Sequence, residues 1–187
     1  MRCACMCFPA TLNIYGVCET DMYVADELIT ARSKQRIRIG NTDAEGRMAI
    51  VDALCEAKEA ALTEINPELY TIATLTEHVV LSYGDQYSAV MCNGPAKESR
   101  VDVSLQECGD LIADPFEISN IRREDYKAYK GKNEYEDLLQ VGSPTPARSR
   151  GHQGPASFLV VGSGLDKVGC SQINDFWLIV SVLFCFI

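Results

Sequence analysis

Asp43 and Glu45 stand two residues apart in the stretch GNTDAEGR, residues 40–47, with Gly46 and Arg47 directly after them. In an extended or turn backbone, residues i and i+2 point the same way, so both carboxylates can offer oxygen atoms to one divalent cation or to a pair. Ala44 between them avoids crowding, and Gly46 admits backbone angles closed to other residues. Arg47 adds a fixed positive charge where an anion or a developing oxyanion would be stabilised. The same residues have a plainer use, because acidic groups at the start of a helix cap it and complement its dipole. Spacing alone leaves both readings open.

The flanking elements must position such a loop. Upstream, Tyr23–Thr30 and Arg36–Ile39 are rich in β-branched and apolar residues around a polar Arg32–Gln35 turn, which predicts a hairpin. Downstream from Arg47, the apolar positions Ile50, Leu54, Ala57, Ala61 and Ile65 recur at three or four residues until Asn66-Pro67, the pattern of an amphipathic helix. Leu69–Leu75 is a continuous apolar run and predicts a strand buried on both faces in a parallel sheet. Hairpin, loop, helix and strand together predict an α/β domain. Tyr87–Cys92 predicts a further strand, ended by Asn93-Gly94-Pro95. Val101, Leu105, Cys108 and Leu111 predict a helix face closed by Asp114-Pro115. The charged, tyrosine-rich Arg122–Leu139 stretch reads as a solvated connection. The Gly, Pro and Ser-rich segment after it reads as a loop with a short helix starting near Pro155.

Composition narrows the classes of function. The 187 residues are 47% apolar and 23% charged, which matches one globular domain, and a net charge of −9 argues against nucleic acid as a partner. Nine cysteines, an odd number without a repeated C-x-x-C spacing, read as reduced thiols of a cytoplasmic protein, and Cys3, Cys5 and Cys7 fit no common zinc template. The apolar run Phe176–Ile187 is twelve residues long, too short for the roughly 20 of a spanning helix. It also lacks the basic flank of an interfacial anchor, so a membrane partner is not expected. His78 has no carboxylate at a telling spacing, and Ser82 and Ser163 have no nucleophile-elbow pattern, which argues against a serine hydrolase.

NTDAEGR, Asn41 to Arg47, resembles the signature of the leucyl aminopeptidase family of cytosolic di-metal peptidases. VADELITARSKQRIRI before it resembles the hairpin that leads into that signature, and YTIATLT after it resembles the family's Ala-Thr-Leu-Thr strand end. GHQGPASFLVVGSGLDKVG resembles a divergent branch of animal aminopeptidase-like proteins. The resemblance covers roughly residues 20–169 and leaves out an N-terminal segment, 1–19, and an apolar tail, 170–187. It implies a partial three-layer α/β/α sandwich around a mixed sheet, peptide substrates and a hexameric homo-oligomer. It also implies that Asp43 binds one metal, that Glu45 bridges two, and that Arg47 holds bicarbonate or an oxyanion near the attacking water. Thr74 and Leu75 would then contact substrate. Zn²⁺, Mn²⁺ or Mg²⁺ would be the cations, since oxygen ligands choose weakly among them.

Departures from the family pattern are equally specific. The family's upstream Gly-Lys-Gly and Asp-Ser-Gly-Gly elements and a later Asp supply further metal ligands and a catalytic Lys, and nothing of that kind lies between Met1 and Asn41. Glu77 stands where the family has Gly, and CSQINDFWLIVSVLFCFI replaces a His-x-Asp-x-Ala-Gly strand. The chain therefore reads as a fragment, with two expectations for function. One is an aminopeptidase-like metalloenzyme that is active when the missing ligands are supplied. The other is an inactive truncated paralogue acting as a structural or interaction subunit.

Overall fold

The computed structural model describes residues 23–65, 67–142 and 149–167, together with the backbone of 175–180. The hairpin forms as strands β1 (Leu28–Thr30) and β2 (Arg36–Arg38), antiparallel with Ile29 opposite Ile37. Its turn is closed by the Lys34 amide donating to the Ala31 carbonyl at 2.8 Å and the Ala31 amide donating to the Gln35 carbonyl at 2.9 Å. Lys34 takes φ +70°, the left-handed residue that lets a three-residue loop match the twist of the strands. After a short 3-10 turn, Thr42–Ala44, helix α1 runs from Glu45 to Ala61, starting two residues before the apolar periodicity does.

The remaining elements are β3 (Glu68–Ala73), α2 (His78–Tyr83), β4 (Ser88–Cys92), α3 (Gly94–Glu98), α4 (Val101–Ile112) and β5 (Phe116–Ser119). They continue with α5 (Arg123–Ala128), β6 (Leu138–Leu139), α6 (Gln153–Gly162) and β7 (Asp175–Val180). Two sheets result. β6 joins β2 in parallel, giving the order β1-β2-β6, and the larger sheet has the order β3-β7-β4-β5. In the larger sheet β7 is parallel to β3 and antiparallel to β4, so the sheet is mixed. The apolar tail thus contributes a strand to the middle of that sheet.

Val51 and Leu54 of α1 and Ala156, Phe158 and Leu159 of α6 pack with Ala89 and Met91 of β4 in one core cluster. Val90, which points to the opposite face of β4, is also fully buried, on the side where α4 crosses the strand. β4 is therefore covered on both faces, the expected α/β/α layering. β3 departs from expectation. Leu69 faces the core, but Tyr70 and Ile72 are 47% and 71% exposed, because β3 lies at the sheet edge and only the α1 side of it is covered.

Two further expectations are corrected. On α4 the buried positions are Asp102 and Gly109, whereas Cys108 and Leu111, part of the expected apolar face, are exposed. Gly109 explains the rotation: a Cβ there would lie 2.4 Å from the Asp114 carbonyl oxygen and 2.6 Å from the Phe116 ring, so the bare backbone is what approaches β5. The Arg122–Leu139 stretch is no mere solvated connection. Tyr129 enters the core, Asp125 is buried against Arg150, and buried Glu136 meets Arg38 at 3.3 Å.

Substitution Gly109→Ala should cost about 1–3 kcal/mol by overpacking. The thermal midpoint should fall by roughly 2–4 °C for each kcal/mol lost in a chain of this size. Gly46→Ala, where nothing lies within 4 Å of the added methyl, should leave the midpoint unchanged or slightly raised. Differential scanning calorimetry on the two variants checks both expectations.

Candidate active site

The acidic loop is folded by its own asparagine. Asn41 Oδ1 accepts the Asp43 amide at 3.0 Å, and the Asn41 carbonyl accepts the Ala44 amide at 3.2 Å, which closes the 3-10 turn. Asp43 is exposed on that turn, and Glu45 is half-buried as the first residue of α1. The two readings of the pair are therefore compatible, since both carboxylates sit at the positive end of the α1 dipole and still face outward. Among the described residues neither carboxylate forms an ion pair with Lys or Arg. The half-buried phenol of Tyr23 lies near Glu45, and its ionisation is pushed up first by burial and then by the Glu45 charge. Its hydroxyl is buried without a hydrogen-bond partner.

Arg47, one turn into α1, is held rather than free. Its Nη1 donates to the Gln140 backbone carbonyl at 2.8 Å and to the Tyr129 hydroxyl at 3.4 Å, with the guanidinium carbon 5.9 Å from the centroid of the Tyr129 ring. Burial raises the Tyr129 phenol, and the Arg47 charge works against that rise. Sequence reasoning found Arg47 but missed both of its holders. Tyr129 lay in a stretch read as solvent-facing, and Gln140 is a single amide after two leucines, with no motif around it.

Thr74 and Leu75 follow directly on β3. α1 packs on β3 after a short connection, and Thr74 and Leu75 lie at the end of β3 opposite that connection. Thr74 is exposed, while Leu75 is half-buried and packs against the core cluster. Glu77 is exposed at the N-terminal boundary of α2.

Asp43 and Glu45 are hard oxygen donors and fit a divalent cation as ligands. They fit only part of a ligand set. No group of three or more His, Cys, Asp or Glu gathers among the described residues, and a hard cation takes about six oxygens. The cysteine cluster Cys3, Cys5 and Cys7 lies outside the described residues, and Cys55 is buried with its thiol pushed up by burial.

His152, at the start of α6, is 2% exposed, with Nε2 at 2.9 Å from Ser119 Oγ and its ring 5.8 Å from that of Tyr83. Among the described residues its Nδ1 has no hydrogen-bond partner, and buried Asp125 is engaged by Arg150 instead, so no Ser-His-acid triad forms among them. Ser163 bonds back to the Leu159 carbonyl, as a helix-end serine does. Burial, followed by the charges of His78 and Arg150, lowers the His152 imidazole to about 4, against an upward pull from Asp125. The unfolded chain therefore takes up this proton first. The stabilisation is complete above the ordinary histidine value and is lost as pH falls from about 6.5 toward 4. Thermal melts over that range should show wild-type stability falling by the order of 2–3 kcal/mol, and His152→Gln should flatten that part of the profile.

Comparison with known proteins now adds to the geometry. Residues 6–163 match the model of the cytosol aminopeptidase family catalytic domain. "Putative aminopeptidase W07G4.4" of Caenorhabditis elegans is 49% identical over 151 residues, covering 80% of this chain and 29% of its own length. A "Probable cytosol aminopeptidase" of Persephonella marina is 35% identical over 122 residues, 65% of this chain and 22% of that protein. The chain thus spans less than a third of either relative. In fold, a mutant of tomato leucine aminopeptidase superposes with a TM-score of 0.68 at 17% identity, over 89% of this chain and 29% of that one. A chain matched over residues 6–163, which hold the acidic turn, α1 and strands β1 to β6, belongs to the cytosol aminopeptidase family, as part of its catalytic domain.

Proposed function

We propose that this chain carries the acidic part of a metal-dependent aminopeptidase site that releases leucine-type N-terminal residues from peptides. The observation that carries this reading is Asp43 and Glu45 at the start of α1, unpaired with Lys or Arg among the described residues, within one turn of an arginine whose direction is fixed by Gln140 and Tyr129. Asp43 and Glu45 would hold Zn²⁺, Mn²⁺ or Mg²⁺ together with ligands from further sequence. A cation bound there would polarise the scissile carbonyl and acidify water.

The chain's own contribution follows from its charges. The α1 N-terminus and Arg47 make this end of the domain favourable to an anion, either bicarbonate or the oxyanion formed as the peptide bond is attacked. Gln140 and Tyr129 keep the guanidinium from collapsing onto the nearby carboxylates, which stay available to a cation. In this reading Thr74, exposed directly after β3, would meet the peptide. A homo-oligomer in the cytosol is the setting this reading implies. Among the described residues no helix is long and apolar enough to cross a membrane.

Leucine p-nitroanilide hydrolysis with Mn²⁺, Zn²⁺ or Mg²⁺, by a protein in which this chain is joined to the further ligands, tests the reading. There Asp43→Asn and Glu45→Gln should each lower kcat/KM by about 10² or more, since each removes a charged ligand. Hydrolysis that survives in both variants, or such a completed protein inert with all three cations, would count against it.

A further inference from the structure

We infer that Gln140 is the positioning residue of this site, fixing the acidic loop with its side chain and Arg47 with its backbone. The inference deepens the function proposed above and rests on it. Gln140 is completely buried. Its Oε1 accepts the Gly40 amide at 3.0 Å and the Asn41 amide at 2.9 Å, while its Nε2 donates to the Ala44 carbonyl at 3.1 Å. One side chain therefore grips both ends of the segment that presents Asp43 and leads into Glu45. The turn bonds from Asp43 and Ala44 back to Asn41 are internal to that segment and cannot orient it against the domain.

The backbone of Gln140 extends the grip. Its amide donates to the Arg38 carbonyl at 2.9 Å, tying residue 140 to the end of β2, and its carbonyl accepts Arg47 Nη1 at 2.8 Å. The carboxylate loop and the guanidinium are thus both referenced to one buried residue. Only a primary amide offers two acceptor lone pairs and a donor in one plane, and only glutamine does so at this reach. Glutamate would keep the acceptor and lose the donor, asparagine is one methylene shorter, and an apolar residue would take this acceptor away from the amides of Gly40 and Asn41.

The test uses the whole chain and Mn²⁺ as the probe, with amide hydrogen exchange read at Gly40 and Asn41 and Mn²⁺ affinity read by electron paramagnetic resonance. Gln140→Met keeps the bulk and removes both polar atoms. It should speed exchange at both amides by about tenfold and weaken Mn²⁺ binding by about tenfold, as loss of an outer-shell partner does. Gln140→Glu should keep the protection of the two amides, which covers the case in which Gln140→Met fails to fold. Val90→Ala, a cavity in the larger sheet, should lower the melting temperature and leave both readouts at wild-type values. The inference is overturned if Gln140→Met leaves exchange at Gly40 and Asn41 unchanged, or if it weakens Mn²⁺ no more than Val90→Ala does. The exchange comparison decides what Gln140 does to the loop even where two carboxylates alone hold Mn²⁺ too weakly to measure.

Discussion

The buried Gln140 amide is the constraint on which the candidate site depends. A glutamine at zero exposure is stable only if its polar atoms are matched, and here the matching groups are the backbone of the acidic loop itself. Burial and loop geometry therefore enforce each other. If the loop moved, Gln140 would be left unsatisfied in the core, and if Gln140 left, two loop amides would lose their acceptor. This coupling places an exposed Asp43 on a defined turn, its carboxylate in no ion pair among the described residues.

Around that knot, carboxylates that are buried at Asp125 and Glu136 and half-buried at Asp137 are paired with arginines from distant parts of the chain. Asp125 on α5 is gripped by Arg150 just before α6, and Arg150 also donates to the Asn120 carbonyl at 2.9 Å. Asp137, beside β6, takes a bidentate contact from Arg36 on β2, which holds its carboxyl down at about 2. Glu136 next to it receives Arg38. These pairs do not drive folding strongly, because desolvation offsets much of their attraction. They set register: a carboxylate buried without its arginine would be costly, so β6 has one favourable seat beside β2. That seat is what delivers Gln140 to the loop.

The larger sheet has a different economy. β4 is buried on both faces and anchors the core, while β3 at the edge keeps one face bare, with Tyr70 and Ile72 in water. The helix cover on that side lies over β4, β5 and β7.

Sequence alone determined the local elements with strong periodicity or punctuation: the hairpin, α1, the β4 strand and the helix around Pro155. It also determined the chemistry available at residues 43–47, because residue type and spacing suffice for that. Only the tertiary structure decided which faces were buried. Period-2 and period-3.6 patterns say that an element has two sides and not whether a neighbour covers both, so the bare face of β3 and the rotated face of α4 were not legible. Nor were Tyr129 and Gln140, which meet Arg47 across 82 and 93 residues of chain. A hydrogen bond between groups so far apart leaves no local pattern, and its existence depends on how β2, the acidic loop and α1 close around one buried amide.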